Sequence, residues 1–335
     1  MNSVNRSVFP SLNRICDYVE YYAHVDPQRE ALVLGDVRYD YRKFNELTDR
    51  AGSALANLGL KAGDRVAGMI TPRPEFAILL MAALRNGLIW VGINPRYTSR
   101  EIQYILDDAK PSLLFSITSD LSGRDFEDDL RSCRDDSPFL RKIITIPESI
   151  PDLTERWGDF LSSVSADAST ARRVQPEANS EHSAEPAVIV YTSGTTGNPK
   201  GALLSHDNLI YSFDSVSRSF AGKDELRVGM RTLCNLPTNH IGCISELVGN
   251  TLICGGTLVF AERFNAAEVL RIIEAERINQ FGGVPLMLEQ IFSQLDLTQT
   301  DMTSVRIIGW GGAPASQDLV EKMSQLKVHL FTNYG

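Results

Sequence analysis

The chain has 335 residues, 43% hydrophobic and 22% charged, with a formal net charge of -9. That is enough apolar sequence for a large core and more than one subdomain, and the acidic balance argues against a nucleic-acid surface, which needs clustered Lys and Arg. The start MNSVNRSVFP lacks an apolar signal core, and the longest apolar run, FAILLMAAL at 76–84, is far short of the ~20 residues of a membrane span.

Along the chain, short apolar strands alternate with amphipathic helices, the pattern of α/β layers. ALVLGDVRYDY (31–41) reads as a hairpin turning at Gly35 and Asp36, and FNELTDRAGSALANLGL (44–60) as a helix ending at Gly59. RVAGMI, a helix from Pro74 to about Asn86, IWVGI, a helix opening at Thr98 or Ser99, and SLLFSI then make a doubly wound unit. The charged run at 119–138 reads as a solvated surface helix. Residues 162–186, polar and rich in Ala and Ser, read as a connecting segment between a first α/β subdomain, 1–161, and a second, 187–335. The second subdomain repeats the alternation from Asp207: RTLCNLP, GGTLVF, INQFGGVP, VRIIGWGG and KVHLFTNYG, each separated by a helix. The cysteines at 16, 133, 234, 243 and 254 contain no C-x-x-C pair, and no His pair has metal-ligand spacing, which points to reduced, buried thiols in a cytoplasmic protein.

The stretch YTSGTTGNPKG (191–201) has the composition of a phosphate-holding loop: glycines free the backbone, four hydroxyls donate and Lys200 adds charge. A Walker A loop needs G-x-x-x-x-G-K-[ST] followed by a helix. Here the fifth residue after Gly194 is Pro199, and Lys200 precedes Gly201 and Ala202, so kinase and GTPase readings fail. AVIVY before the loop and ALLS after it both read as buried strands, so no helix stands immediately behind it. The competing reading is a Ser/Thr/Gly linker, which seldom sets a Lys after a Pro between two apolar strands.

YTSGTTGNPKGALLSH (191–206), LPTNHIG (236–242), GWGGAP (309–314) and TNYG (332–335) together resemble the motifs of the AMP-forming acyl-CoA synthetases. That adenylate-forming superfamily also holds luciferases and peptide-synthetase adenylation domains. The resemblance runs from about Tyr39 to the end and implies the large N-terminal α/β domain of such an enzyme, with layered doubly wound sheets. It implies that a carboxylate attacks the α-phosphate of ATP, pyrophosphate leaves, and the acyl-adenylate passes to coenzyme A. Thr192, Ser193, Gly194, Thr195, Thr196, Gly197 and Lys200 are then the pyrophosphate grip, with Thr192 also at Mg2+ and Lys200 catalytic. His240 is implied as a catalytic and acid-binding residue beside Ile241, against the alternative of a hydrogen-bonded histidine at a strand end. Gly311, Gly312 and Ala313 are similar to the adenine wall, a role compatible with a plain glycine turn before a helix at Pro314. Asn333, Tyr334 and Gly335 are similar to the start of the adenine-stacking motif.

Alternation along VRIIGWGG puts Ile308 and Trp310 on one strand face and Ile307, Gly309 and Gly311 on the other. Trp310, like Gly311, is thereby a candidate acid-binding residue if its face lines an acyl pocket, and only packing if that face meets the subdomain core. The family's motif continues past TNYG with Thr-Glu, and then with a ribose-binding Asp, a hinge and a small domain carrying a catalytic Lys. The chain ends at Gly335, so the expectation is a truncated domain, inactive alone. The expected partners are a carboxylic acid of the fatty-acid class, ATP and coenzyme A, with homodimer formation left open. Two alternatives stand beside this: a non-catalytic nucleotide- or acyl-binding fragment, and an aryl-acid ligase.

Overall fold

Successive residues of one strand enter different cores. The computed structural model describes residues 9–148, 150–164, 184–192, 198–220 and 224–333. In it, Leu32 of β1 (Glu30–Leu34) joins a first apolar cluster and Val33 a second, because side chains alternate across a strand. An unanticipated helix, α1 (Asp17–Val25), precedes β1. The expected hairpin is present: β1 turns at Gly35, where φ is +55°, into antiparallel β2 (Val37–Asp40). Asp40 accepts the Lys43 N–H at 2.7 Å and so starts α2 (Tyr41–Asn57) three residues earlier than the sequence reading placed it.

The doubly wound unit follows as β3 (Arg65–Met69), α3 (Pro74–Arg85), β4 (Ile89–Gly92), α4 (Ser99–Ala109) and β5 (Leu113–Ile117). Pro74 opens α3, and a Thr98/Glu101 capping box opens α4. The apolar run that is too short for a membrane is α3, buried all round its circumference. Among the described residues no helix is long and apolar enough to cross a membrane. The charged stretch contributes α5 (Glu127–Asp136), and β6 (Lys142–Ile146), β7 (Glu155–Arg156) and α6 (Trp157–Ser162) follow, none of the three anticipated.

Strands β8 (Pro186–Thr192) and β9 (Lys200–Ser205) form an antiparallel hairpin, and α7 (His206–Ser219) comes next. Then come β10 (Arg231–Cys234), a π-helix (Gly242–Gly249), α8 (Asn250–Ile253) and β11 (Thr257–Phe260). The chain ends through α9 (Ala266–Ala275), β12 (Gln280–Gly283), α10 (Pro285–Gln294), β13 (Ile307–Gly311), α11 (Gln317–Ser324) and β14 (His329–Asn333).

These strands make two seven-stranded sheets. Sheet I has the order β7-β6-β5-β3-β4-β8-β9 and sheet II β14-β13-β12-β10-β11-β1-β2. Each is parallel except at one edge, where the antiparallel partner of a hairpin closes it. The segment 162–186 thus joins two parts of one sheet, while β1 and β2 pair into the sheet built by the last third of the chain. ALLS is not buried as its composition suggested: β9 is the outermost strand, and Leu203 is 55% exposed because no further layer lies on it. The first cluster fills the space between the sheets around α2 and α3 and continues onto the far side of sheet I. The second packs α9, α10 and α11 on the outer face of sheet II. All five cysteines are buried free thiols.

Candidate functional site

The parallel strands of sheet II all end at one edge, so the segments that follow them are gathered there. After β10 the chain passes to β11 on one side of it, whereas β12 pairs on the other side, with Thr232 opposite Gln280. This reversal makes a switch point, and open α/β sheets bind ligands outside the carboxyl ends of their strands at such points. The candidate residues His240 and Ile241 follow β10, Gly311 to Ala313 follow or end β13, and Asn333 ends β14.

The LPTNH loop after β10 is held from the other sheet. Thr238 donates its hydroxyl to the Ile70 carbonyl at 2.5 Å, Asn239 donates to the Tyr97 hydroxyl at 3.3 Å, and a Cβ on Gly92 would lie 2.4 Å from Asn239 Cα. Ile70 and Gly92 stand at the carboxyl ends of β3 and β4, so the loop locks the edges of the two sheets together. A second tie comes from Glu262, which accepts from Thr71 at 3.0 Å and pairs with Arg73 at 3.4 Å.

His240 projects from this clasp with its side chain exposed. Its Nδ1 accepts the Gly242 N–H at 3.1 Å, which leaves the proton of the neutral ring on Nε2, facing away from the backbone as a donor. The protein packed beneath the ring desolvates it and holds its pKa below the ordinary histidine value, favouring that neutral donor form. Ile241 is half-buried and packs against the first cluster.

Gly311 pairs with Asn333, and a Cβ added to it would lie 3.2 Å from the Asn333 carbonyl oxygen. Gly312 has φ +80°, where a side chain is strained, and it and Ala313 are exposed. Gly312 thus makes the expected turn, but the helix expected at Pro314 begins only at Gln317, because Ser316 is the residue whose side chain caps it, accepting the Leu319 N–H. Trp310 is half-buried and packs on the second cluster, on the α9–α11 side of sheet II, while Gly309 on the opposite face lies under the Phe331 ring. Of the two readings of Trp310, the ring's position matches the core one.

The stems of the phosphate loop are Thr192 and Lys200, opposite each other in the β8–β9 hairpin and both exposed. Tyr191 donates to Asp108 at 2.5 Å and Tyr104 to the Pro199 carbonyl at 3.0 Å, so both stems are anchored to α4. As expected, a strand and not a helix stands behind the loop. The candidates Ser193, Gly194, Thr195, Thr196, Gly197, Tyr334 and Gly335 lie outside the described residues. Among the described residues, no hydrogen bond joins Thr192 or Lys200 to His240, and no group of three or more His, Cys, Asp or Glu could hold a metal ion.

Sequence reasoning missed the residues that tie these parts together: Gly92 and Tyr97 beneath the loop, and Glu246 on the π-helix. Glu246 accepts from Ser212 of α7 at 2.5 Å and from Asn250 at 3.2 Å. A lone acid inside the apolar helical run GCISELVG is the signal that could have revealed it, because a carboxylate there must find donors.

Comparison with known proteins bears on the fold and the family. The chain is 29% identical over 313 residues to a mouse mitochondrial medium-chain acyl-CoA ligase, ACSF2, covering 88% of this chain and 50% of that protein. It is 28% identical over 320 residues to the long-chain-fatty-acid–CoA ligase FadD13 of Mycobacterium tuberculosis, covering 93% and 58%. The chain thus spans about half to three-fifths of the length of these curated relatives. Its fold matches the inhibitor-bound N-terminal domain of FACL13 from Mycobacterium tuberculosis with a TM-score of 0.79 at 27% identity, over 96% of this chain and 75% of that one. An anthranilate CoA ligase, AuaEII, solved with anthranoyl-AMP, shares the fold at TM-score 0.82 and 20% identity, over 99% and 61%. The family described as AMP-binding enzyme matches residues 19–335, and the chain belongs to that adenylate-forming family, whose motifs its sequence carries.

Proposed function

We propose that this chain is the nucleotide- and acid-binding part of an AMP-forming acid–CoA ligase acting on a fatty acid. The observation that carries the reading is the placement of His240, Gly311 to Ala313 and Asn333 on one carboxyl edge, clasped to the sheet that bears the Thr192–Lys200 hairpin. A carboxylate oxygen of the acid attacks the α-phosphorus of ATP, the bond to the bridging oxygen of the β-phosphate breaks, and pyrophosphate leaves with the electron pair. Lys200 neutralises charge on the leaving group; the Thr192 hydroxyl would help hold Mg2+, which when bound would supply further positive charge to the phosphates. One preorganised donor of this kind is worth about 3 kcal/mol of barrier. His240 Nε2–H donates to the oxygens between acid and α-phosphate, and Gly311, Gly312 and Ala313 offer a side-chain-free surface to adenine. In the whole protein, coenzyme A then takes the acyl group as a thioester and AMP is released. The names of the medium-chain and long-chain ligases among the relatives support the fatty-acid class.

The test is calorimetric binding of ATP and of a non-hydrolysable acyl-sulfamoyl adenosine to the 335-residue protein. Lys200→Ala is expected to weaken ATP about tenfold or more and to leave the analogue, which has no β or γ phosphate, within about twofold. Equal loss for both ligands overturns the pyrophosphate grip, and failure of the wild-type protein to bind either overturns the whole reading.

A further inference from the structure

Helix α4 and the turn before it touch both halves of the candidate site. Just ahead of the first turn, the Tyr97 hydroxyl accepts the Asn239 amide of the LPTNH loop at 3.3 Å, and the Thr98/Glu101 capping box fixes where the helix starts. Further along, Tyr104 and Asp108 are four residues apart and so share one helix face. Tyr104 donates its hydroxyl to the Pro199 carbonyl at 3.0 Å, directly before Lys200. Asp108 accepts the Tyr191 hydroxyl at 2.5 Å, directly before Thr192. One face of α4 therefore holds both strands of the β8–β9 hairpin at the residues next to Thr192 and Lys200.

The hairpin is shaped for this contact. Tyr191 pairs with Gly201, where an added Cβ would lie 3.2 Å from the Tyr191 ring and 2.9 Å from Ile189 Cγ2, so the missing side chain gives the ring its place. Burial, together with the Asp108 carboxylate, raises the Tyr191 pKa above the ordinary tyrosine value and keeps the phenol in its donor form. A carboxylate acceptor makes the bond charge-assisted, the stronger kind. The ladder from Pro186–Ser205 to Thr192–Lys200 already joins the two strands, so these side-chain bonds are not needed to pair them. What they fix is where the Thr192–Lys200 end of the hairpin stands relative to α4.

We propose that Tyr104 and Asp108 are positioning residues: Asp108 through Tyr191, and Tyr104 through Pro199, set Thr192 and Lys200 in place relative to the LPTNH loop that Tyr97 supports. The inference rests on the reading of Thr192 and Lys200 as part of the pyrophosphate grip. A ligand that carries β and γ phosphates then feels the loss of either tether, and a ligand that ends at the α position does not.

The experiment measures, by calorimetry below all melting transitions, the affinities of the 335-residue protein for ATP and for the acyl-sulfamoyl adenosine. Asp108→Ala, Asp108→Asn, Tyr191→Phe and Tyr104→Phe are compared with Lys200→Ala and with Gln103→Ala. The last removes two 3.0 Å bonds of the same helix, to Asp107 and to Ser137, that do not involve the hairpin. Asp108→Ala and Tyr191→Phe are expected to weaken ATP about five- to tenfold, Tyr104→Phe about threefold, and all three to leave the analogue within about twofold. Asp108→Asn, which keeps an acceptor for the phenol, should recover most of the loss. Gln103→Ala should lower the melting temperature with both affinities unchanged. Wild-type ATP affinity in Asp108→Ala or, should that variant not fold, in Tyr191→Phe and Tyr104→Phe, which each lose one hydroxyl and keep the ring, overturns the proposal. Equal loss for both ligands, or an ATP loss in Gln103→Ala, also overturns it. Lys200→Ala separates the two failures: if it weakens ATP while the tether variants do not, the grip stands and only the positioning falls. If it leaves ATP at wild-type affinity, or if the wild-type protein binds neither ligand, the grip falls and the positioning with it.

Discussion

At the scale of single residues, two buried positions set clear expectations. Gly92 has no room for a methyl group, because its Cβ would meet the backbone of Asn239 at 2.4 Å. Backbone cannot rotate away as a side-chain tip can, so Gly92→Ala should cost about 1–3 kcal/mol of unfolding free energy in urea melts and displace the LPTNH loop. An unchanged midpoint would show that the clasp yields freely. His206 is 1% exposed, its Nδ1 accepts the Ile15 N–H at 3.4 Å, and burial, aided by Arg14, pushes its pKa down to about 3. The folded pKa lies below the unfolded value of 6.5, so between these values the unfolded chain holds a proton that the folded one lacks. Stability is therefore intact above about pH 6.5 and falls as pH drops, by at most about 2–3 kcal/mol at pH 4.5. Urea melts of wild type and His206→Gln at pH 7 and 4.5 check this. The variant should lose less stability on acidification, and parallel losses would refute the assignment.

At the scale of elements, β13 separates two chemistries by alternation. Ile308 and Trp310 face α9, α10 and α11, while Ile307, Gly309 and Gly311 face Phe331, Asn333 and the α7 side. Trp310→Ala should therefore lower stability by about 3 kcal/mol and leave the ranking of acyl-adenylate analogues of different chain length unaltered. A shifted ranking in a protein of wild-type stability would place the ring at an acyl pocket instead. Much of the element order was legible because the punctuation is local: the Gly35-Asp36 turn, Pro74 and Pro285 in the first turns of α3 and α10, and the Thr98/Glu101 box. The α2 start was misplaced because Asp40 also ends β2, and one residue can serve as strand end and cap. β9 was read as buried because composition reports hydrophobicity, not the number of layers that cover a strand.

At the scale of the whole molecule, the first cluster runs from α1 through both sheets to β11, so neither sheet has a complete core of its own. Far-UV circular dichroism and tryptophan fluorescence should accordingly report one coincident unfolding transition, the mark of two-state behaviour. Two separated transitions would mean that the sheets fold independently despite the shared core.

What the sequence by itself determined is local and chemical: the α/β class, much of the order of helices and strands, and the four motifs whose residue types suit phosphate, acid and adenine. These follow from periodicity, caps and short spacings, which act over a few residues. What only the tertiary structure decided is which strand pairs with which, and hence what stands beside the motifs. Leu32 meets Leu258 across 225 intervening positions, Thr238 reaches Ile70, and Glu246 reaches Ser212. No local rule encodes such pairings. They arise because buried faces, unpaired strand edges and an enclosed carboxylate find partners only when the whole chain has closed.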